Sequence, residues 1–63
     1  MKYIVYNVRM GQCRKVAELP DLAKLYHFAV EMAFRYRGYY EFDVVEKEII
    51  DDLTGLGFKV EVQ

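Results

Sequence analysis

Catalysis on so short a chain needs a nucleophile with a base, or a set of metal ligands, and the supply here is thin. The sequence holds one histidine, His27, one cysteine, Cys13, and no serine or tryptophan; Thr54 is the only aliphatic hydroxyl beside six tyrosines. A Ser-His-Asp arrangement is impossible. Cys13 and His27 form the one conceivable nucleophile–base pair. No second cysteine accompanies Cys13, and its plain reading is a small apolar filler. His27 and Glu31 stand four apart, as two metal ligands on one helical face can, but two ligands do not complete a site. Glu48, Asp51 and Asp52 are close together, yet acid–base work needs a concave, partly dry setting, and the plain reading is the wet face of a short helix. Gly55-Leu56-Gly57 lacks the third glycine of a phosphate loop and follows a helix instead of opening one. The expectation is no catalytic residue, no metal and no cofactor.

Binding chemistry is better represented. Arg35-Tyr36-Arg37-Gly38-Tyr39-Tyr40 interleaves guanidinium and aromatic groups that, if exposed, stack on bases and hold phosphates. The segment Arg37-Gly38-Tyr39-Tyr40-Glu41-Phe42 resembles the RNP1 box of RNA-recognition motifs, which opens on a basic residue, a glycine and an aromatic. Val5-Tyr6-Asn7-Val8 resembles the end of their RNP2 box. The pattern departs at Tyr40, where a small residue belongs, and at Glu41, where an aromatic stacks. The interleaved pattern points to a single-stranded nucleic-acid site on Arg35, Arg37, Tyr39 and Tyr40, together with Arg9 and Arg14. Glu41 and Asp43 on the same segment repel phosphate. The competing reading puts the tyrosines in the core and the arginines at the end of a helix.

The net charge of −1 hides a division. Residues 1–37 carry seven basic and three acidic side chains; residues 38–63 carry two basic and seven acidic ones. If folding keeps the halves apart, the molecule has an acidic side that steers a basic partner. Glu41, Asp43, Glu48, Asp51 and Asp52 are the residues expected to face water there.

These groups must be placed by a small scaffold. Sixty-three residues make one domain, spanning 1–63, and are too few for a doubly wound cofactor fold or a repeat array. A 54% hydrophobic composition is enough to fold and excludes a disordered chain. One thiol cannot close a disulfide within the chain, which suits a cytoplasmic protein. No apolar run reaches the ~18 residues of a membrane span. A start at Met1 with no tag or linker is what a complete small gene product would show.

Residues 2–8 read as a central strand, apolar on both faces. Gly11 marks a turn, and Cys13 to Leu19 reads as a second, weakly alternating strand, with a short helix as the competing reading. Pro20 and Asp21 open a long helix that Gly38 ends. Its apolar arc is wide: Leu22, Leu25, Tyr26, Ala29, Met32, Ala33 and Tyr36, with Ala23, Val30 and Phe34 to one side and Phe28 to the other. A small sheet cannot cover that arc, so either a second helix does or a second chain does, which makes Phe28, Val30 and Phe34 candidates for a homodimer interface. Tyr39 to Val45 alternates as a half-buried strand with Tyr40, Phe42 and Val44 inward; the alternative has Asp43 capping the next helix with Glu46. That helix runs from about Glu46 to Thr54 with Ile49, Ile50 and Leu53 inward. Phe58 to Val62 is a clean alternating strand.

The expected fold is α+β: a three- or four-stranded, mainly antiparallel sheet against one long and one short helix, in the order β-(β)-α-β-α-β. The expected function is non-enzymatic. It is that of a small protein-binding regulator or inhibitor, of the kind viruses and mobile elements encode, engaging a basic surface through its acidic face. The nucleic-acid binder and a structural homo-oligomer are the other readings.

Overall fold

A computed structural model describes the chain over residues 1–63. The elements follow as β1 (Tyr3–Arg9), β2 (Gln12–Leu19), α1 (Leu22–Tyr36), α2 (Glu46–Gly55) and β3 (Phe58–Val62). The sheet is antiparallel with β1 in the middle, flanked by β2 and β3. The α+β class and the antiparallel sheet are those the sequence leads one to expect; the order is β-β-α-α-β.

The β1–β2 turn is made by Met10 and Gly11, both at positive φ (51° and 77°), closed by the Arg9–Gln12 pair. Two left-handed residues in a row match the twist of the flanking strands. Met10 is fully exposed there, and a non-glycine residue in that region costs roughly 1–2 kcal/mol. A bulge at Val16 then shifts the register, so that Val5 faces Ala17 but Tyr6 faces Lys15.

Pairing puts Tyr3, Val5, Leu19, Val60 and Val62 on one face. Tyr3 and Val5 join Leu25, Ala29 and Met32 of α1, Ile49 and Leu53 of α2, and Phe58 in one core. Asp21 caps α1 by accepting the Lys24 N–H at 2.9 Å, and Gly38, at φ 91°, closes it with an N–H to the Ala33 carbonyl at 3.0 Å. Only eleven residues are buried. Each fully buried Leu or Ile contributes about 1.5–3 kcal/mol, against a total of about 3–9 kcal/mol expected for this length.

The other face of β1 carries Ile4, Tyr6 and Val8 and has no helix over it. Ile4 is nonetheless 4% exposed. Its neighbours across the sheet are Glu18 and Glu61, and Glu18 bonds both Lys2 (2.7 Å) and Lys15 (2.8 Å). Those side chains share the face with Ile4 and keep their charged ends in water. The lysines, Lys15 first, hold the Glu18 carboxyl down to about 2.

Residues 39–45 correct the sequence reading. They form no strand, and Tyr39 to Val44 donate no backbone hydrogen bond. Tyr40 and Phe42 do turn inward while Glu41 and Asp43 turn out, so the alternation reports an extended chain. It does not report a sheet. The RNP1-like segment accordingly lies outside the sheet. Asp43 does not cap α2: the cap position is Val45, without a side-chain bond, and the Asp43 carbonyl accepts the Val45 N–H at 2.8 Å. Val44, expected inward, is 55% exposed.

The need for this strap follows from the helix directions. α1 starts beside the Leu19–Tyr3 end of the sheet and finishes with Tyr36 6.3 Å from Phe58, at the other end. α2 starts where Glu46 meets Tyr3 and finishes at the turn into Phe58. Both helices run the same way, so the link between them must return the length of the domain.

Native-state hydrogen exchange distinguishes a strap from a strand. The amides of Tyr39 to Val44 should exchange orders of magnitude faster than those of Ile4 and Tyr6 in β1, which open only on global unfolding. Comparable protection at both places would mean the segment pairs as a strand.

Candidate partner-binding surface

The strap is fastened at its start by one arginine. Arg37 Nη1 donates to Asp52 Oδ1 at 2.6 Å and Nη2 to Oδ2 at 3.3 Å, a two-point contact with α2. The guanidinium also donates to the Tyr39 carbonyl from Nε (3.4 Å) and Nη2 (3.3 Å). It lies 4.7 Å from the Tyr39 ring centre and 5.5 Å from that of Phe42. A fork of fixed geometry suits all these contacts at once, which a lysine ammonium would not. The Asp52 carboxylate holds the Arg37 charge more firmly than in water, raising its pKa.

An aromatic row fastens the middle. Tyr40 meets Tyr26 of α1 and Phe42 edge-on, both at 5.6 Å. The Tyr40 hydroxyl is buried without a hydrogen-bond partner. At the far end, Tyr3 donates to Glu46 Oε2 at 2.6 Å. Both phenols titrate above the ordinary tyrosine range: Tyr3 through its bond to Glu46 and then burial, Tyr40 through burial first.

Asp52 is a correction. It was expected to face water with Asp51, but it is 7% exposed and paired. The signal was present: Ile49, Asp52, Leu53 and Leu56 fall at i, i+3, i+4 and i+7, which puts Asp52 in the buried stripe. A buried carboxylate at such a position needs a cation, and Arg37, just past the end of α1, is within reach. Asp51 is exposed and bonds Lys47 at 2.9 Å. Glu41, Asp43 and Glu48 are exposed and make no ion pair in the chain.

The structure divides the nucleic-acid set. Arg37 is committed to Asp52, and Tyr40 is packed between Tyr26 and Phe42. Tyr39 is half exposed under Arg37, and Arg35 is exposed in the last turn of α1. Arg9 and Arg14 share a shallow depression of about 360 Å³ with Asn7, Gln12 and Val16 at the turn end of the hairpin. Of the dimer candidates, Phe28 packs edge-on against the chain's own Phe58 at 5.6 Å, Val30 is half-buried, and Phe34 is 57% exposed. Much of the wide arc on α1 is thus covered from within the chain.

The chemical candidates come apart as well. Cys13 pairs with Val8 on the sheet face that carries no helix, whereas His27 sits exposed on α1 across the sheet. No three or more His, Cys, Asp or Glu side chains gather to hold a metal ion. No helix is long and apolar enough to cross a membrane.

What remains along the strap is an exposed surface of mixed character. Tyr39 (50% exposed), Val44 (55%) and Val45 (46%) stand among Glu41, Asp43 and Glu48. The strap carries all but Glu48, which lies on the first turn of α2.

Leaving a buried carboxylate such as Asp52 without its cation is strongly destabilising, because the charge stays out of water with nothing to offset it. Arg37→Ala, which strands that carboxylate, should therefore lower the melting temperature steeply, read by circular dichroism. Asp51→Lys should move the melting temperature by only a few degrees. Replacing the pair together, Arg37→Met with Asp52→Leu, should recover a cooperative melt, because an apolar pair can fill the same space. In alkali, stability should hold up to about pH 10 and fall above it. There the unfolded chain releases the protons of Tyr3 and Tyr40 before the native state does. A denaturant series at stepped pH checks this, and Tyr3→Phe should flatten the fall. The chain matches no known family model, no curated protein and no solved structure.

Proposed function

We propose that this is a non-enzymatic binding protein, a regulator or inhibitor that docks its strap and the adjoining turn of α2 on a basic surface of another protein. The observation that carries the reading is the strap itself: Tyr39, Val44 and Val45 half exposed among carboxylates that the chain leaves unpaired. Exposed aromatic and aliphatic groups alternating with charged ones are a composition that protein interfaces use. An extended segment clamped by Arg37 and Tyr40 has already lost much of the freedom that binding would otherwise have to remove. The carboxylates choose a basic partner and speed the encounter. A cytoplasmic setting suits the exposed, unpaired thiol of Cys13.

The test has two steps. Tagged protein is used to capture partners from its native host, and association with each is then measured over a salt series. Glu41→Lys with Asp43→Lys should leave the melt within a few degrees, slow association and remove most of its salt dependence. Tyr39→Ala should speed dissociation. Glu31→Lys, an exposed charge on α1, is the control. Equal binding by the charge-reversed variant at every salt concentration would sink the acidic-surface reading.

A further inference from the structure

β3 is an edge strand with unusual self-complementarity, and we propose that two copies of this chain pair through it, β3 against β3 in antiparallel, into one six-stranded sheet. The ladder to β1 decides which groups are free. Lys2 and Gln63 exchange backbone bonds (2.7 and 2.8 Å), and the Val8 N–H reaches the Gly57 carbonyl at 2.9 Å. Bonded pairs alternate along an antiparallel ladder, so Gly57, Lys59, Glu61 and Gln63 point their amides at β1. Phe58, Val60 and Val62 point theirs outward, away from the sheet.

A second strand must therefore meet those three residues. The centred register sets Val60 against Val60 of the copy and Phe58 against Val62, with all outward amides bonded. It also sets Lys59 against Glu61 of the copy, twice over, in the closely spaced non-bonded positions where side chains meet most directly. Sliding the strands by one bonded step either way puts Lys59 against Lys59 or Glu61 against Glu61. The charges thus select one register and forbid its neighbours. Neither residue has an ion-pair partner within the chain, and both are exposed.

The other edge offers no such fit. β2 carries the bulge at Val16, a device that blunts an edge, whereas β3 is regular and has no proline. A two-fold axis normal to the sheet relates the copies and keeps both pairs of helices on one side. It brings the α2 flank opposite Asp52, where half-buried Ile50 lies, toward its equivalent.

The test is a charge swap read by analytical ultracentrifugation from low to high micromolar concentration. The wild type should approach twice the 7.5 kDa chain mass. Lys59→Glu and Glu61→Lys should each weaken self-association by on the order of tenfold or more, since each sets like charges opposite one another twice. The double variant Lys59→Glu with Glu61→Lys should restore it, and an equimolar mixture of the two single variants should form a mixed dimer. Melting curves establish that each variant is folded. A synthetic chain N-methylated at Val60 should lose the dimer while keeping its bonds to β1. A wild type that stays monomeric throughout would overturn the proposal. So would a dimer that ignores the swap but is lost on Phe34→Ser, which would locate the contact on α1.

Discussion

The ion pair between Arg37 and Asp52 joins the three parts of this protein that local sequence does not join. Arg37 closes α1, Asp52 belongs to the buried stripe of α2, and the same guanidinium holds the first residues of the strap between them. Two parallel helices have no short connection, so their relative position depends on what the returning segment can grip. An apolar pair at these positions would fill the space as well. It would not, however, reach the Tyr39 carbonyl, and the strap would lose its first anchor. That is the sense in which a buried charge pair specifies an arrangement without adding much net stability.

A sheet of three strands has two faces and only one pair of helices to cover them. The chain manages the second face with charge in place of apolar cover. Ile4 is buried there beside ion pairs whose heads lie in water, Lys2 and Lys15 with Glu18. Those pairs lie in solvent and contribute little as ion pairs. Lys59 and Glu61 stand on this same face without such partners. One face therefore contains both ion-paired charges and charges with no ion partner, and the latter lie on the edge strand, where Glu61 accepts a bond from Gln63 Nε2 at 3.0 Å.

The surface offered for binding and the fold are tied to each other through the strap. Its inward residues, Tyr40 and Phe42, contact α1 and the Arg37 guanidinium; its outward ones, Tyr39, Glu41, Asp43, Val44 and Val45, are left to solvent. Loops placed on a rigid scaffold are where small proteins carry recognition. Here the loop is also the only covalent route from one helix to the next, so it cannot be loosened without loosening the core.

Local pattern determined a good deal. The period-3.6 stripe of α1, its cap at Asp21 and its stop at Gly38, the β1–β2 turn and the alternation of β3 were all legible, because each is decided by residues within a turn or a strand of one another. The extended conformation of 39–45 was legible too, but its setting was not: alternation says that one side is covered and is silent on whether a strand or a helix covers it. Asp52 shows the same limit. Its place in the i, i+3, i+4 stripe was readable, yet a carboxylate there becomes credible only with a cation opposite it, and Arg37 is fifteen residues away. Glu41, Asp43, Glu48 and Asp51 are exposed as expected, while Asp52 went to the core. Which apolar groups stay outside was a tertiary matter as well: Phe28 found Phe58, while Phe34 found nothing. Side chains on one element are ordered by that element's period; which of them meet across the fold depends on long-range packing, and packing decided the clamp, the strap and the surface they present.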